Sequence, residues 1–137
     1  MLKKFYPFYH IIVSLTLGLL IYLFLREGTF IHLIFKNIPN FSKINNPFTV
    51  FLKYYMVDAL WGYALTWGFI AIWKPNTRYE HIIIAVISFL CAVAWELLQL
   101  FNYMPGSFDL YDIIMYLIAA FVAVEINFKN EGDSKNE

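Results

Sequence analysis

Four carboxylates, Asp58, Glu96, Asp109 and Asp112, lie in or against stretches of chain that otherwise read as lipid-soluble. A charged side chain at the centre of a membrane helix costs about 2.5–3.5 kcal/mol on insertion scales, so acids placed there as a rule face a protein interior and serve it. Their chemistry could be general acid–base catalysis, capture of a cationic group, or relay of protons. Carboxylates gathered closely repel, and the repulsion is relieved by a shared proton or by a divalent cation. Asp58, Glu96 and Asp112 are the candidates for the charge of such a site. Gln99, Trp61 and Tyr116, each three or four residues from one of these acids, are the candidates to orient a ligand.

Other chemistry finds little support. His10, His32 and His81 are scattered over separate segments, with no HExxH and no His/Cys pair at metal-ligand spacing. There is no Gly-rich phosphate loop and no GxSxG turn, and no motif sets a base beside Ser14, Ser42, Ser88 or Ser107. The single Cys91 permits neither an internal disulfide nor a CxxC pair and reads as a small packing residue. No protein metal site and no resident cofactor is expected, a divalent cation at the acids aside.

The elements that must position these residues are membrane helices. Of 137 residues, 61% are apolar and 20% aromatic, and only 15% are charged, against roughly 25% in a soluble domain. A soluble fold of this length could not hide that much apolar surface. Lys+Arg and Asp+Glu balance at 10 each, which gives no electrostatic footprint for nucleic acid. Spans are expected at about 5–25, 49–73, 82–101 and 109–128, each long enough to cross a core about 30 Å thick. The expected fold is an all-α bundle of four transmembrane helices in one domain, 1–128, followed by a short polar tail, 129–137. Leu23-Phe24-Leu25 followed by Arg26 is no small-residue cleavage site, so the first span reads as a retained anchor. Between the first two spans, Phe30 to Phe35 is apolar but too short to cross. An interfacial helix followed by an Asn/Pro-rich loop fits it.

Lys and Arg concentrate in cytoplasmic loops. With both termini inside, that side holds Lys3, Lys4, Lys74, Arg78, Lys129 and Lys135, six cations, against four outside, Arg26, Lys36, Lys43 and Lys53. The acids then gather in the outer half of the bundle, with Arg26 the nearest counter-ion, while the inner half offers few polar partners beyond Glu125. Helical spacing turns these acids inward. Asp112, Tyr116, Ala119, Ala120 and Ala123 share a face, as do Ala85, Ser88, Ala92, Glu96 and Gln99. Tyr54, Asp58, Trp61, Gly62 and Leu65 form a third stripe, and His10, Ser14, Gly18 and Tyr22 a fourth. Small residues let membrane helices approach closely.

Plainer readings stand beside these. Asp109 with Asp112 matches an N-cap and an acid in the first helical turn. Glu96 and Gln99 could be hydrogen-bonding glue between helices. Asp58 could reach past Tyr54 to the headgroups. Trp73 and Tyr79 fit an interface belt, whereas Trp61, near mid-span, fits one poorly.

Glu96-Leu97-Leu98-Gln99, a short loop, then Asp109-Leu110-Tyr111-Asp112 resembles the VanZ-like family of small bacterial membrane proteins, which carries Glu-x-x-Gln at the end of one span and Asp-x-x-Asp opening the next. Asp58-Ala59-Leu60-Trp61 looks like the Asp-x-x-Trp of some relatives, and the match covers roughly residues 50 to 125. Family members often carry Arg where this chain has Gly106-Ser107, and Asn and Gly where it has Tyr116 and Ala119. The resemblance implies a plasma-membrane, cell-envelope protein, its name-giving member linked to glycopeptide antibiotic resistance.

The expected function is binding of a polar or cationic envelope ligand, a lipid among the candidates, in an outward-facing acidic pocket. The rivals are a carboxylate enzyme acting on a lipid-linked substrate, a small proton- or cation-coupled transporter, and a purely structural accessory protein. The bilayer is the one expected partner; nucleic acid is not. The topology has a direct test. A cysteine introduced between Asn102 and Ser107 is expected to react with a membrane-impermeant thiol reagent on intact cells, and one at Asn76 is not. Labelling at Asn76 alone would invert the orientation.

Overall fold

The computed structural model describes residues 6–26, 43–44, 46–104 and 107–133. The interfacial helix expected around 30–35, most of the loop after it, and Lys3, Lys4, Lys36 and Lys135 of the charge count lie outside the described residues. Those residues form four long helices: α1 (Tyr6–Leu25), α2 (Pro47–Trp73), α3 (Arg78–Leu100) and α4 (Leu110–Asp133). All four are long and apolar enough to cross a membrane, and the fold is an all-α transmembrane bundle.

Local chemistry fixes the ends. Asn46 caps α2, accepting from the Thr49 amide while Thr49 Oγ1 accepts from the Asn46 amide, and Pro47 takes the first-turn position where its missing N–H is harmless. Thr77 and Glu80 make the same reciprocal box at the start of α3. That box starts α3 a turn before the expected Ile82, and draws Arg78 and His81 into the helix. At the other end of α2, Lys74 closes the helix in the left-handed conformation, its amide bonded to the Ile70 carbonyl. The fourth helix continues past the expected Phe128, so Lys129 and Asn130 are helical rather than tail.

Within α2, Leu52–Met56 is a π-helical turn. Such a turn carries an extra residue and often marks a functional position. Lys53, expected as an exposed outer cation, lies inside this turn and is buried at 5% exposure. The expected span already includes Lys53; what it does not foresee is the turn that carries the side chain inward.

The helices alternate in direction, and α2 touches all three others. Small residues make these approaches. Gly18 of α1 faces Leu60 and Trp61, and Gly62 lies under Tyr116 and Ala119. Ala119, Ala120 and Ala123 are buried on α4, as are Ser88 and Ala92 on α3. The apolar core of Trp67, Ile70, Ile84 and Ala123 sits toward the Tyr6 end, so the predicted acids occupy the opposite, Arg26 end.

The buried alanine face makes a packing prediction. Ala123→Leu or Ala119→Leu is expected to lower the unfolding temperature in detergent, since overpacking a tight contact costs about 1–3 kcal/mol. Leu117→Ala, at a position 54% exposed, is expected to leave it near wild type. Equal tolerance would contradict the packed face.

Candidate functional site

Three helices bring Asp58, Glu96 and Tyr116 together. Asp58 comes from α2, two residues beyond the π-helical turn; Glu96 from the last two turns of α3; Tyr116 from the second turn of α4. The Tyr116 hydroxyl lies 3.1 Å from Glu96 Oε1 and 3.4 Å from Asp58 Oδ1. A phenol has one proton to donate, so it serves one carboxylate well and the other only in part. Glu96 is 2% exposed, and its second oxygen, Oε2, is buried with no hydrogen-bond partner among the described residues. An unsatisfied buried acceptor costs about 1–3 kcal/mol, and more when charged.

Asp112 lies one turn nearer the start of α4, and its charge acts on the same centre as those of Asp58 and Glu96. Arg26, at the end of α1, opposes these acids electrostatically. Its guanidinium stands over the rings of Tyr22 and Tyr54, 5.5 and 5.9 Å from their centroids, geometry suited to a cation–π contact. The arrangement is a partly buried cluster of three acids, one arginine and one phenol. It can bind a hydrogen-bond donor or a cationic group.

The remaining predicted residues lie elsewhere. Asp109 Oδ1 accepts from the Tyr111 amide at 2.9 Å and caps α4. Gln99 is turned to the α3–α4 connection, where its amide donates to the Ser107 carbonyl (3.2 Å) and accepts from Trp95 Nε1 (2.9 Å). Trp61 is 51% exposed and lines an apolar groove of about 350 Å³ between α1 and α2, with Ile11, Leu15 and Phe69. Three residues along a helix turn a side chain by most of a revolution but not all of it, and here the shortfall carries Trp61 and Gln99 off the acidic face. Among the described residues no group of three His, Cys, Asp or Glu is placed to hold a metal ion.

The half of the bundle expected to be poor in polar groups is well supplied. Thr66, 0% exposed, bonds across to Ser88 (3.0 Å) in mid-bundle. His81 Nδ1 meets the Thr77 carbonyl at 2.8 Å, and a carbonyl only accepts, so Nδ1 carries the proton and Nε2 accepts from Asn127 Nδ2 at 2.9 Å. His10 stacks on Trp67, rings 4.1 Å apart and 6° from parallel, with its Nδ1 2.8 Å from the Tyr63 hydroxyl. Arg78 pairs with Glu125, and Tyr6 with Asn130. The signal for Thr66 was its place four residues beyond Gly62 on the Asp58 face. That for His81 was its place seven residues before Ser88.

Neither a protein-family model, nor a curated protein, nor a solved structure matches this chain.

The His81–Asn127 pair yields a prediction. Asn127→Leu leaves a buried imidazole nitrogen without its donor, a loss of about 1–3 kcal/mol. Its unfolding temperature in detergent is expected to fall clearly below that of Val122→Ala, a control at a position 41% exposed. No difference would mean that the bond adds nothing to the bundle.

Proposed function

We propose that this chain is a VanZ-like multi-pass protein of a bacterial plasma membrane, with both termini in the cytoplasm, that binds a cationic or hydrogen-bond-donating ligand of the cell envelope in its outward-facing acidic pocket. The observation that carries the reading is Glu96. Its carboxylate is 2% exposed, one oxygen meets Tyr116, and the other is an open acceptor inside the bundle. Helix glue alone is better served by an amide, which bonds across helices without the burden of a buried charge. A carboxylate kept in that position suits a partner that arrives with a proton or a positive charge. Asp58 and Asp112 add attraction, and Tyr116 fixes the orientation of Glu96. Gln99 and Trp61 support the loop and the α1–α2 packing instead of touching the ligand. The envelope role rests on the Glu-x-x-Gln and Asp-x-x-Asp resemblance, and the outward orientation on the distribution of cations.

A second reading, proton or cation transport, draws on the buried polar groups that continue below the acids, Thr66 with Ser88 and then His81 with Asn127. Eight residues of helix, about 12 Å, separate Glu96 from Ser88, and seven more, about 10 Å, separate Ser88 from His81. Ala92 and Ile84 fill those intervals. Binding therefore ranks ahead of conduction. Proton flux into liposomes carrying the protein, lost in Ser88→Ala, would reverse that order.

The binding reading is tested by native mass spectrometry of the protein in mild detergent. Wild type is expected to retain a discrete lipid-sized or smaller mass, and Glu96→Gln and Asp112→Asn each to lose it while unfolding near the wild-type temperature. The double variant is expected to be no worse than either single one, because residues acting as a unit are strongly non-additive. Retention in both single variants would remove the site and leave a structural membrane protein.

A further inference from the structure

We propose that Gly62 is the positioning residue of this pocket: the space of its missing side chain is the seat of the Tyr116 ring, and that seat carries the Tyr116 hydroxyl to Asp58 and Glu96. The inference rests on the reading of the acids as a ligand site. A Cβ built on Gly62 would lie 2.9 Å from Tyr116 Cδ1, 3.4 Å from Tyr116 Cα and 3.6 Å from Ala119 Cβ. The first distance is shorter than carbon atoms tolerate, and the atom concerned is on the near side of a rigid ring, one bond from its attachment. The ring cannot bend away at its tip; it must tilt as a whole or α4 must move off α2. Either motion is transmitted along the ring to the hydroxyl, whose contacts at 3.1 and 3.4 Å have little slack. Gly62 is itself buried, one helical turn from Asp58 on the same face of α2, so one helix supplies both the acid and the seat of the group that meets it.

Gly18 and Gly68 behave differently. At Gly18 the nearest atoms would be 3.7 Å away, ordinary contact, and at Gly68 nothing lies within 4 Å. Small size at position 62 is therefore tied to one particular side chain, and the tie predicts that the two positions are coupled. In Tyr116→Ala the opposing ring is gone, and an added methyl at 62 meets only contacts of 3.4 Å and longer.

The experiment uses full-length protein in detergent with tyrosine labelled at Cζ, the Tyr116 resonance being assigned by its loss in Tyr116→Phe. Gly62→Ala is expected to shift that resonance, whereas Gly68→Ala leaves it in place. Ethylammonium chloride is the probe of the pocket, expected to move the Tyr116 resonance in wild type and in Gly68→Ala, and at least tenfold less effectively in Gly62→Ala. An unmoved Tyr116 resonance in Gly62→Ala would overturn the seat. A Tyr116 resonance that shifts in Gly62→Ala, combined with no response of wild type to ethylammonium, would uphold the seat and count against the pocket as an ammonium site. Should Gly62→Ala fail to fold, recovery of folding in Gly62→Ala/Tyr116→Ala, measured against Tyr116→Ala alone, supports the seat, and failure in that background overturns it.

Discussion

A carboxylate removed from water inside a lipid-embedded bundle needs its hydrogen bonds supplied by neighbouring helices, and Glu96 imposes that demand on this fold. Its bond to Tyr116 ties α3 to α4, and the contact of the same hydroxyl with Asp58 draws in α2. Three helices thus share one oxygen-lined junction near one end of the bundle. An interhelical hydrogen bond in a membrane contributes on average only about 0.6 kcal/mol. The bundle therefore cannot rest on this junction for its stability, which comes from the close packing of Gly62, Ala119, Ala120 and Ala123 and from the Trp67 core. What the junction adds is register: with the Thr66–Ser88 and His81–Asn127 bonds, it fixes the relative rotation of three helices.

The two ends of the bundle bury different kinds of polar group. Toward the Tyr6 end, His81 is matched on both ring nitrogens, Arg78 meets Glu125, and Thr66 meets Ser88, while His10 Nε2 and Trp67 Nε1 are buried without a hydrogen-bond partner among the described residues. Toward the Arg26 end, three acids face one phenol and one arginine, and an oxygen of Glu96 is left over. What sets the Arg26 end apart is acids in excess over cations, and ionisable groups inside a bundle are where a membrane protein meets something else.

Much of this was legible in the residues. Hydropathy and length placed all four spans, because a 30 Å slab leaves few alternatives. The stripes of small and polar residues correctly turned Glu96, Ala119, Ala120, Ala123, Ser88 and Gly18 inward, since period 3.6 holds wherever the helix is regular. Two features escaped. Trp61 and Gln99 were grouped with the acids by spacing alone, yet three residues subtend about 300° of a turn, and packing decided which side of the stripe each joined. Lys53, near the start of the second span, was counted among the outer cations, and the π-helical turn that buries it has no sequence signature of its own. Cross-helix pairs such as His81 with Asn127 depend on the rotation and depth of two helices at once, which one-dimensional periodicity does not contain.

The π-helical turn makes α2 two phased segments rather than one rod. Each residue advances an α-helix by about 100°, so an insertion or loss within Val57–Trp73 would swing Asp58 or the residues beyond it to the wrong side. Leu52–Met56 already holds one residue more than a regular turn accommodates, and a single loss there can relax to ordinary α-helix with the phase on either side retained. Length variation in this helix is thus tolerated at one place and nowhere else along the acidic face, so the segment that appears least regular is the one that lets the end of α2 shift while Asp58 stays aimed at Tyr116.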